Sequence, residues 1–293
     1  MTSVAVLGPG GVGGFVAAAL ARSGVPTTVV AREPTAELIA RDGIEVESVR
    51  LGEFVAHPRA VAALELPADV LVIATKAPAL EAALRRVRAE PGLVVPLLNG
   101  VEHLAVLRER FGERAVAASI RIGAERVAPG RIVHTSPGVR IELAPPGPDA
   151  DAFVHVLRAA EIPARTLPGE ADVLWSKLVR LNALAGTTAA ADAPIGEVRS
   201  HPVWRARLAG AVDETAAVAA AEGAQVDPAA TLAELMALGH DHTSSLHRDL
   251  AAGHDSELDA IPGAVLRAGE RHGIATPTVA ELMGLIRERY PAA

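Results

Sequence analysis

Two lysines stand out because the chain otherwise uses arginine as its cation. Of the 28 Lys and Arg residues in the 293-residue sequence, only Lys76 and Lys177 are lysine. The chain is rich in Ala, Gly and Arg, which is typical of a GC-rich coding sequence. A lysine kept under that bias is favoured where a compact ammonium must give up a proton, which Arg cannot do near neutral pH. Both lysines are therefore candidates for chemistry, with an ordinary surface lysine as the alternative.

Asparagine is equally rare, and one of the two asparagines follows a predicted strand. Asn99 comes directly after the apolar run Leu93–Leu98, and Lys76 follows the run Val70–Ala74. Ligands of open α/β sheets bind beyond the carboxyl ends of the strands, so both side chains are expected on that rim. The alternatives are a solvated loop at Lys76 and an ordinary Asn-Gly turn at Asn99.

A glycine-rich turn near the start of the sequence predicts a dinucleotide site. The apolar run Val4–Leu7 precedes it, an Ala-rich helical stretch, Phe15–Arg22, follows it, and Thr27–Ala31 is the next predicted strand. This order of elements is typical of dinucleotide-binding folds, in which the helix N-terminus presents free N–H groups to the phosphates. A glycine turn that binds no ligand is the alternative. The predicted cofactor-binding residues of the turn are Gly8, Pro9, Gly10, Gly11, Val12 and Gly13.

Each glycine of the Gly-x-Gly-x-x-Gly pattern has an expected task, and the residues after the second strand choose the cofactor. Gly8 allows a tight turn, Gly10 lets the backbone approach a pyrophosphate, and Gly13 lets the helix pack close to the strand. An NAD site would place an acidic residue after the second strand, whereas this chain has Arg32 and then Glu33. Arg32 is positioned to meet a 2′-phosphate, which favours NADP, while Glu33 could instead turn toward the ribose.

The elements that must position these residues divide the chain into two parts. Short apolar runs alternate with helical stretches up to Pro168 and Gly169, and the later runs, from Ala115 onward, are expected to be antiparallel strands. We predict a doubly wound, mostly parallel Rossmann sheet (α/β) over residues 1–167 and an all-α domain over residues 168–293. The predicted helices after the first are Ala79–Ala89, His103–Phe111, Asp151–Ala160, Ala171–Ala185, Val203–Glu222, Pro228–Leu238, Ser244–Ala252, Glu257–His272 and Thr278–Arg289.

Composition and charge restrict the class of protein. Half of the residues are hydrophobic, 22% are charged and only 2% are aromatic, which favours a packed, aliphatic core. A net charge of −7 argues against a nucleic-acid-binding protein. No apolar run approaches the ~18 residues of a membrane span, and no Lys or Arg precedes Arg22, so we expect neither a span nor a signal peptide. A cytoplasmic protein is expected.

Histidines gather late in the sequence, but we expect no metal site. His240, His242, His247 and His254 lie within a short stretch, and the chain has no cysteine. His240 and His242 are too close to share one helix face, and hydride transfer needs no metal ion. We therefore interpret this stretch as a solvated polar loop, with a structural metal as the alternative.

Taken together, these motifs resemble those of the ketopantoate reductase family (2-dehydropantoate 2-reductases), within the larger group built like 6-phosphogluconate dehydrogenase. The resemblance spans nearly the whole chain. The glycine turn is a generic feature. Two features are more specific: the sequence Trp175–Leu178, and Ser244-Ser245 followed by Asp249 and Glu257.

The resemblance implies a reaction and a role for each matching residue. The reaction would be reduction of the C2 ketone of 2-dehydropantoate to (R)-pantoate by NADPH. Lys177 falls on the family's catalytic lysine, and Glu257 falls on its substrate-side glutamate. Ser245 matches the substrate-binding serine, Asn99 matches the rim asparagine expected to serve substrate and cofactor, and Lys76 matches the rim lysine. An ammonium beside the ketone can stabilise the charge left on oxygen and deliver a proton, which is the expected role of Lys177.

The sequence departs from the family at positions that would carry amides. Leu181 and Ala185 stand where the family commonly has Asn, four and eight residues after the lysine, and Pro262 stands where it usually has Asn. Asn182 is the remaining candidate substrate amide, but in a regular helix it is turned about 140° from Lys177. It would share that face only if the helix were locally over-wound.

Three functions therefore stay open at this point. The first is the NADPH-dependent reduction of 2-dehydropantoate, the second is the reduction of another 2-oxo acid, and the third is an NADP-binding regulator without turnover. The missing amides keep the second open, and the presence of both Lys177 and Glu257 speaks against the third. The expected partner is a small 2-oxo acid, with no nucleic acid and no membrane. A homodimer is left open, because the apolar face of Val203–Glu222 can pack internally or on a second copy.

Overall fold

The computed structural model describes residues 2–291 and divides them into two compact units. The sheet unit contains the residues up to Leu98 together with His103–Val173, and the helical unit contains Asn99–Glu102 and the residues from Leu174 onward. Asn99–Glu102 thus belongs to the helical unit although residues of the sheet unit flank it in sequence. The domain boundary predicted after Leu167 stays a prediction.

The strands all lie in the sheet unit, and the helices are shared between the units. Within residues 2–291 the strands are β1 Val4–Leu7, β2 Thr27–Val30, β3 Ile44–Ser48, β4 Gly52–Ala56, β5 Arg59–Val61, β6 Val70–Ile73, β7 Leu93–Pro96, β8 Ala117–Arg121, β9 Ala124–Ala128, β10 Arg131–His134, β11 Arg140–Ala144 and β12 Ala164–Thr166. The α-helices of the same range are α1 Gly11–Arg22, α2 Glu33–Asp42, α3 Leu80–Leu84, α4 His103–Phe111, α5 Pro148–Ala159, α6 Glu170–Ala191, α7 Ile195–Ser200, α8 Pro202–Ala221, α9 Pro228–Met236, α10 Ser245–Ala251, α11 Ala264–His272 and α12 Pro277–Arg289.

A five-stranded parallel sheet forms the centre of the sheet unit. Its strand order is β5-β2-β1-β6-β7, and every neighbouring pair is parallel. Every residue of β1, β6 and β7 is buried, as continuous apolar runs predict for parallel strands that are covered on both faces. The carboxyl ends of these strands lie along one edge of the sheet. The predicted α/β Rossmann fold is confirmed.

Two smaller sheets complete this unit. Their strand orders are β4-β3-β10-β9 and β12-β11-β8. The pairs β8–β11 and β9–β10 are antiparallel, as predicted for the later strands, whereas the pairs β3–β10 and β11–β12 are parallel. In β3, Ile44, Val46 and Ser48 are buried while the two glutamates between them are exposed, the alternation expected of a strand with one covered face.

The helix predicted over Ala79–Ala89 is wrong in extent. After a 3₁₀ turn, only Leu80–Leu84 is α-helical. The N–H groups of Arg88 and Ala89 both donate to the carbonyl of Leu64, so pairing with a distant segment overrides the local helix propensity. The sequence interpretation also missed α2, β5, β9 and α7.

The helical unit follows from Ala-rich sequence and from helix-start residues. Asp227 Oδ1 accepts hydrogen bonds from the N–H groups of Ala229 (2.8 Å) and Ala230 (3.1 Å), and Pro228 begins α9. These are N-cap and first-turn preferences, and they agree with the helix predicted to begin at Pro228. Among residues 2–291, no helix combines the length and the apolar character that crossing a bilayer requires.

The helix predicted over Glu257–His272 begins instead with a π-helical turn at Asp259–Gly263. Pro262 lies inside this turn and has no N–H to donate. The N–H of Gly263 reaches the carbonyl of Leu258, five residues back, at 3.3 Å. The proline thus accounts for the wider turn, which passes into α11.

Candidate active site

The glycine turn at the carboxyl end of β1 is tight. Gly8 has φ +90°, a left-handed conformation that favours glycine, and its N–H donates to the Val30 carbonyl at 3.1 Å. The N–H of Gly10 returns to the Gly8 carbonyl at 2.9 Å. A Cβ on Gly8 would lie 2.8 Å from Cγ2 of Thr75. These contacts agree with the tight-turn role predicted for Gly8.

The three glycines that follow have different surroundings. A Cβ on Gly13 would lie 2.2 Å from the Gly8 carbonyl oxygen, so Gly13 allows α1 to pack against the turn. A Cβ on Gly11 would lie 2.3 Å from the carbonyl oxygen of Ala124 in β9, a packing constraint that the motif alone does not reveal. At Gly10, no protein atom lies within 4 Å of the added Cβ. Only Gly10 therefore leaves open space beside the helix start.

The start of α1 is suited to a phosphate group. Gly10 is the N-cap residue and has no side chain to cap the helix, and the first turn carries no acidic residue. The first N–H groups of a helix lack intrahelical acceptors and carry partial positive charge, so they bind anions. Thr75 Oγ1, beside Gly8, is buried with no hydrogen-bond partner within residues 2–291. Open space, uncapped N–H groups and an orphaned hydroxyl all fit a pyrophosphate.

Arg32 and Glu33 lie just beyond the end of β2, and both are exposed. Arg32 is the N-cap residue of α2, and within residues 2–291 its guanidinium has no hydrogen bond or ion pair. Glu33 begins α2, where the helix dipole favours a carboxylate. Lys76 is exposed beyond the end of β6, at the N-cap of the 3₁₀ turn. The predicted rim residues Arg32 and Lys76 thus lie at the same edge of the sheet as the glycine turn.

In the helical unit, the structure brings Asn99 and Glu257 together. Nδ2 of Asn99 donates to Oε2 of Glu257 at 2.7 Å. Glu257 is only 5% exposed, and a buried carboxylate needs such donors. These two residues are 158 positions apart in sequence, and both were predicted from the sequence as functional residues.

The segment that carries Asn99 is fixed against the π turn. Gly100 has φ +79°, and a Cβ there would lie 2.3 Å from the carbonyl oxygen of Ala260. Arg267 binds both carboxylate oxygens of Glu102, at 2.9 and 2.6 Å, and also binds Asp259 Oδ1 at 2.8 Å. Hydrogen bonds to these two carboxylates raise the pKa of Arg267. The sequence interpretation missed Arg267, because a single Arg on a helix carries no motif.

Lys177 lies on α6 and is partly buried. Trp175, two residues earlier, is 2% exposed, so its ring packs in the interior. One turn after Lys177, Leu181 is partly exposed, and two turns after it Ala185 is fully buried. The face of α6 that Lys177 occupies therefore continues with apolar groups.

Asn182 lies inside the helical unit, with 2% of its surface exposed. Its Nδ2 donates to Thr215 Oγ1 of α8 at 2.9 Å, and its Oδ1 is buried without a partner among the described residues. The structure does not bring Asn182 to Asn99 or Glu257 by any hydrogen bond. Its role as a substrate ligand stays a prediction.

The two serines at the start of α10 have different surroundings. Ser244 is the N-cap residue, and its Oγ accepts from the N–H of His247 at 3.1 Å and lies 3.2 Å from Thr188 Oγ1. Ser245 is the first residue of the helix and is exposed. Ser244 is therefore a structural cap, and the substrate-binding role of Ser245 stays a prediction.

Two of the late histidines, His240 and His247, lie within hydrogen-bond distance of an aspartate. His247 Nε2 lies 2.9 Å from Oδ1 of Asp192, which also accepts from the hydroxyl of Tyr290 at 3.0 Å. The bonds from His247 and Tyr290 lower the pKa of Asp192. Burial, followed by the charges of two arginines, lowers the pKa of His242. Within residues 2–291, no group of three or more His, Asp or Glu side chains is arranged to hold a metal ion.

Comparisons with known proteins place this chain among nicotinamide-dependent reductases. The profile of "Ketopantoate reductase PanE/ApbA" matches residues 4–146, and that of "Ketopantoate reductase PanE/ApbA C terminal" matches residues 171–290. The 2-dehydropantoate 2-reductase of Caulobacter vibrioides is 34% identical over 297 residues, covering 98% of each chain.

Solved structures agree with this match. A 2-dehydropantoate 2-reductase from Geobacter metallireducens has a TM-score of 0.90 and 27% identity, covering 98% of this chain and 99% of its own. A D-mandelate dehydrogenase solved with NADH and anilino(oxo)acetate has a TM-score of 0.88 over 99% of both chains, and at 22% identity this likeness shows the fold alone. With two profiles that together span most of its length and a curated relative that covers nearly all of it, the chain belongs to the ketopantoate reductase family and is an oxidoreductase of that family.

Proposed function

We propose that this protein reduces the C2 ketone of 2-dehydropantoate to (R)-pantoate with NADPH. The observation that carries the proposal is the hydrogen bond between Asn99 and the buried carboxylate of Glu257, in the same unit as Lys177. The resemblance assigns a role in this reaction to all three residues. A purely structural helical domain has no need for a buried carboxylate held by an amide from a distant segment.

The glycine turn, Arg32 and Lys76 are proposed to hold the cofactor. Uncapped N–H groups at the start of α1 bind the pyrophosphate, and the unpaired guanidinium of Arg32 binds a 2′-phosphate. Glu33 has a separate structural reason to be where it is, at the positive end of α2, which supports NADP over NAD. When bound, the nicotinamide supplies a hydride to the ketone carbon.

The helical unit is proposed to supply the remaining groups. The ammonium of Lys177 donates a hydrogen bond to the ketone oxygen, stabilises the negative charge that develops there and delivers the proton. Asn99 and Glu257 bind and orient the substrate, and the exposed hydroxyl of Ser245 binds its carboxylate. Asn182 is buried away from solvent, and it contributes directly only if the helical unit opens around it.

The test is turnover of 2-dehydropantoate with NADPH, followed by loss of nicotinamide absorbance, in the wild type and in Lys177→Ala. Loss of a general acid typically costs about 10²–10⁴-fold in rate, so we expect kcat to fall in that range while the Kd of NADPH changes little. Lys177→Arg is the matched control, because it keeps the charge but cannot donate the proton, and it should be nearly as slow. Near-normal turnover of Lys177→Ala would reject its role, and tighter binding of NADH than of NADPH would reject the cofactor assignment.

A second candidate is the reduction of a less polar 2-oxo acid. Leu181 and Ala185 put apolar groups on the face of α6 that carries Lys177, and Pro262 removes a third amide position. The D-mandelate dehydrogenase of the same fold was solved with NADH and anilino(oxo)acetate, which supports keeping this candidate. A higher kcat/KM for phenylglyoxylate than for 2-dehydropantoate would favour this candidate.

Tight NADPH binding without turnover of any acid would favour a regulator. A homodimer and a cytoplasmic location stay predictions.

A further inference from the structure

An arginine-rich cavity of about 420 Å³ lies in the sheet unit, away from the glycine turn. It lies near Arg22, the last residue of α1, which pairs with one of its lining residues, Glu161, at 2.6 Å. At a rise of 1.5 Å per residue, the end of α1 is roughly 16 Å from its first turn, where the cofactor-binding residues lie. The charged lining of the cavity consists of Arg50, Arg140, Arg158, Arg165 and Glu161.

One buried carboxylate holds two of these arginines. Arg140 and Glu142 are two residues apart on β11 and share a face, and Arg165 is the direct partner of Glu142 on β12. Glu142 is 2% exposed, and its Oε1 accepts from Nε of Arg165 at 2.9 Å and lies 3.2 Å from Nε of Arg140. Because two guanidinium groups share one carboxylate, positive charge is left over on this face.

The other two arginines add to this excess. Arg158 donates its Nε to the carbonyl of Ala164 at 2.8 Å, which brings no negative charge. Arg50 is exposed in the turn between β3 and β4, and within residues 2–291 its side chain has no hydrogen bond or ion pair. The turn itself is fixed, because Ser48 Oγ accepts from the N–H of Arg50 at 3.2 Å and from that of Leu51 at 3.0 Å.

The remaining carboxylate of the cavity is already occupied. Glu161 binds Arg22, which also donates to the carbonyl of Leu51 at 2.8 Å. Counting Arg22 and Glu142, which pair with lining residues, the cavity gathers five guanidinium groups and two carboxylates, in a chain whose net charge is −7. The positive potential reaches inward, since burial and then the charge of Arg50 lower the pKa of His134.

We propose that this cavity binds a small phosphate-bearing anion at a site separate from the cofactor turn. Guanidinium groups bind phosphate oxygens in bidentate geometry. Several guanidinium groups together balance the charge of an anion that carries about two or more negative charges better than that of a monocarboxylate. A volume of about 420 Å³ lies within the range of small-molecule sites and accommodates a diphosphate with a small organic group. The proposal is independent of the reaction that the protein catalyses.

The experiment is a calorimetric titration of the full chain with inorganic pyrophosphate at low salt, where charge interactions are least screened. We expect Arg50→Glu to weaken binding at least about tenfold, since it reverses an unpaired charge at the cavity. Arg85→Glu is the matched control, because Arg85 is exposed at the end of α3 and, among the described residues, its side chain is unpaired. It should bind pyrophosphate as the wild type does.

Two further arms separate the other outcomes. If pyrophosphate binds only at the glycine turn, its affinity will be unchanged in Arg50→Glu, and this result overturns the proposal. An equal loss of affinity in Arg50→Glu and Arg85→Glu overturns it as well. A titration with citrate tests whether the site prefers phosphate to carboxylate groups. If citrate binds more tightly than pyrophosphate and its binding depends on Arg50, the phosphate assignment is overturned. Arg50→Gln removes the charge without reversing it and should also weaken pyrophosphate binding. Thermal melting of every variant checks that a loss of binding is not caused by a loss of folding.

Discussion

Gly10 and Gly13 lie three residues apart in one turn, yet each is glycine for a different reason. A methyl group at Gly13 would collide with the Gly8 carbonyl oxygen, whereas one at Gly10 would meet no protein atom within 4 Å. Gly10 also has φ −77°, which any residue adopts. The protein's own packing therefore requires Gly13, and only an incoming ligand would require Gly10.

This difference predicts that Gly10→Ala and Gly13→Ala separate cofactor binding from stability. Gly10→Ala should keep the wild-type melting temperature and raise the Kd of NADPH about tenfold or more, since the methyl group occupies the phosphate's space. Gly13→Ala should lower the free energy of unfolding by about 1–3 kcal/mol through overpacking. Thermal melting and NADPH titration of both variants check this. Unchanged NADPH affinity in Gly10→Ala would contradict a pyrophosphate at this turn.

At the scale of elements, Asn99–Glu102 is held by the helical unit through three kinds of contact. Asn99 binds Glu257, Glu102 binds Arg267, and Gly100 packs directly on the π turn. The π turn exists because Pro262 cannot donate a hydrogen bond. A proline at one position thus shapes the surface that receives a segment more than 150 residues away in sequence.

We therefore expect Gly100→Ala to move Asn99 and reduce turnover. The new Cβ would lie 2.3 Å from the Ala260 carbonyl oxygen, in addition to the cost of φ +79°. Gly273→Ala is the matched control, because it has φ +66° and no atom within 4 Å of its Cβ. Both variants should melt earlier than the wild type, and only Gly100→Ala should lose kcat, about tenfold or more. An equal kcat in the two variants would contradict the positioning of Asn99 by this turn.

The sequence predicted elements well where local pattern and tertiary structure agree. The buried apolar runs of β1 and β6 and the proline-marked start of α9 were identified this way. It failed at Ala79–Ala89, where pairing with Leu64 ends the helix early, and at α2, whose start Arg32-Glu33 was interpreted only as a cofactor determinant. Local propensity contains no information about a distant partner strand.

The candidate site divides in the same way. Rare residue types and family motifs predicted Lys177, Glu257 and Asn99 as site residues, and the structure adds the bond between the last two. No sequence signal pointed to Arg267 or to the packing constraint at Gly11, because each depends on an atom brought close by the fold. The amide of Asn182 binds Thr215 in the interior, and its role as a substrate ligand stays a prediction.

At the scale of the whole molecule, we expect a buried histidine to make the free energy of unfolding depend on pH. His134 is 1% exposed, lies between the hydroxyls of Ser48 and Ser136, and packs on the ring of Phe15. Burial, and then the charge of Arg50, lowers its pKa below the ordinary value of 6.5. The unfolded chain therefore binds a proton at higher pH than the folded chain does, and stability decreases as the pH falls below about 6.5.

The variant His134→Gln should weaken that dependence. We expect the wild-type free energy of unfolding to decrease between about pH 7 and pH 5, and that of His134→Gln to decrease less, because glutamine does not titrate. Urea denaturation at several pH values in this interval measures both slopes. Other histidines contribute equally to the two proteins, so identical slopes would contradict a depressed pKa at His134.

The four residues Asn99–Glu102 also limit how this protein can be recombined with its relatives. A chimera joined once, near Val173, would combine a foreign helical half with the native tetrapeptide, whose contacts are to Glu257, Arg267 and the π turn of its own helical unit. Exchanging the complete helical unit needs three crossovers, one on each side of the tetrapeptide and one between Val173 and Leu174. Libraries shuffled at a single junction should therefore contain a higher fraction of inactive chimeras wherever this tetrapeptide differs between the two parents.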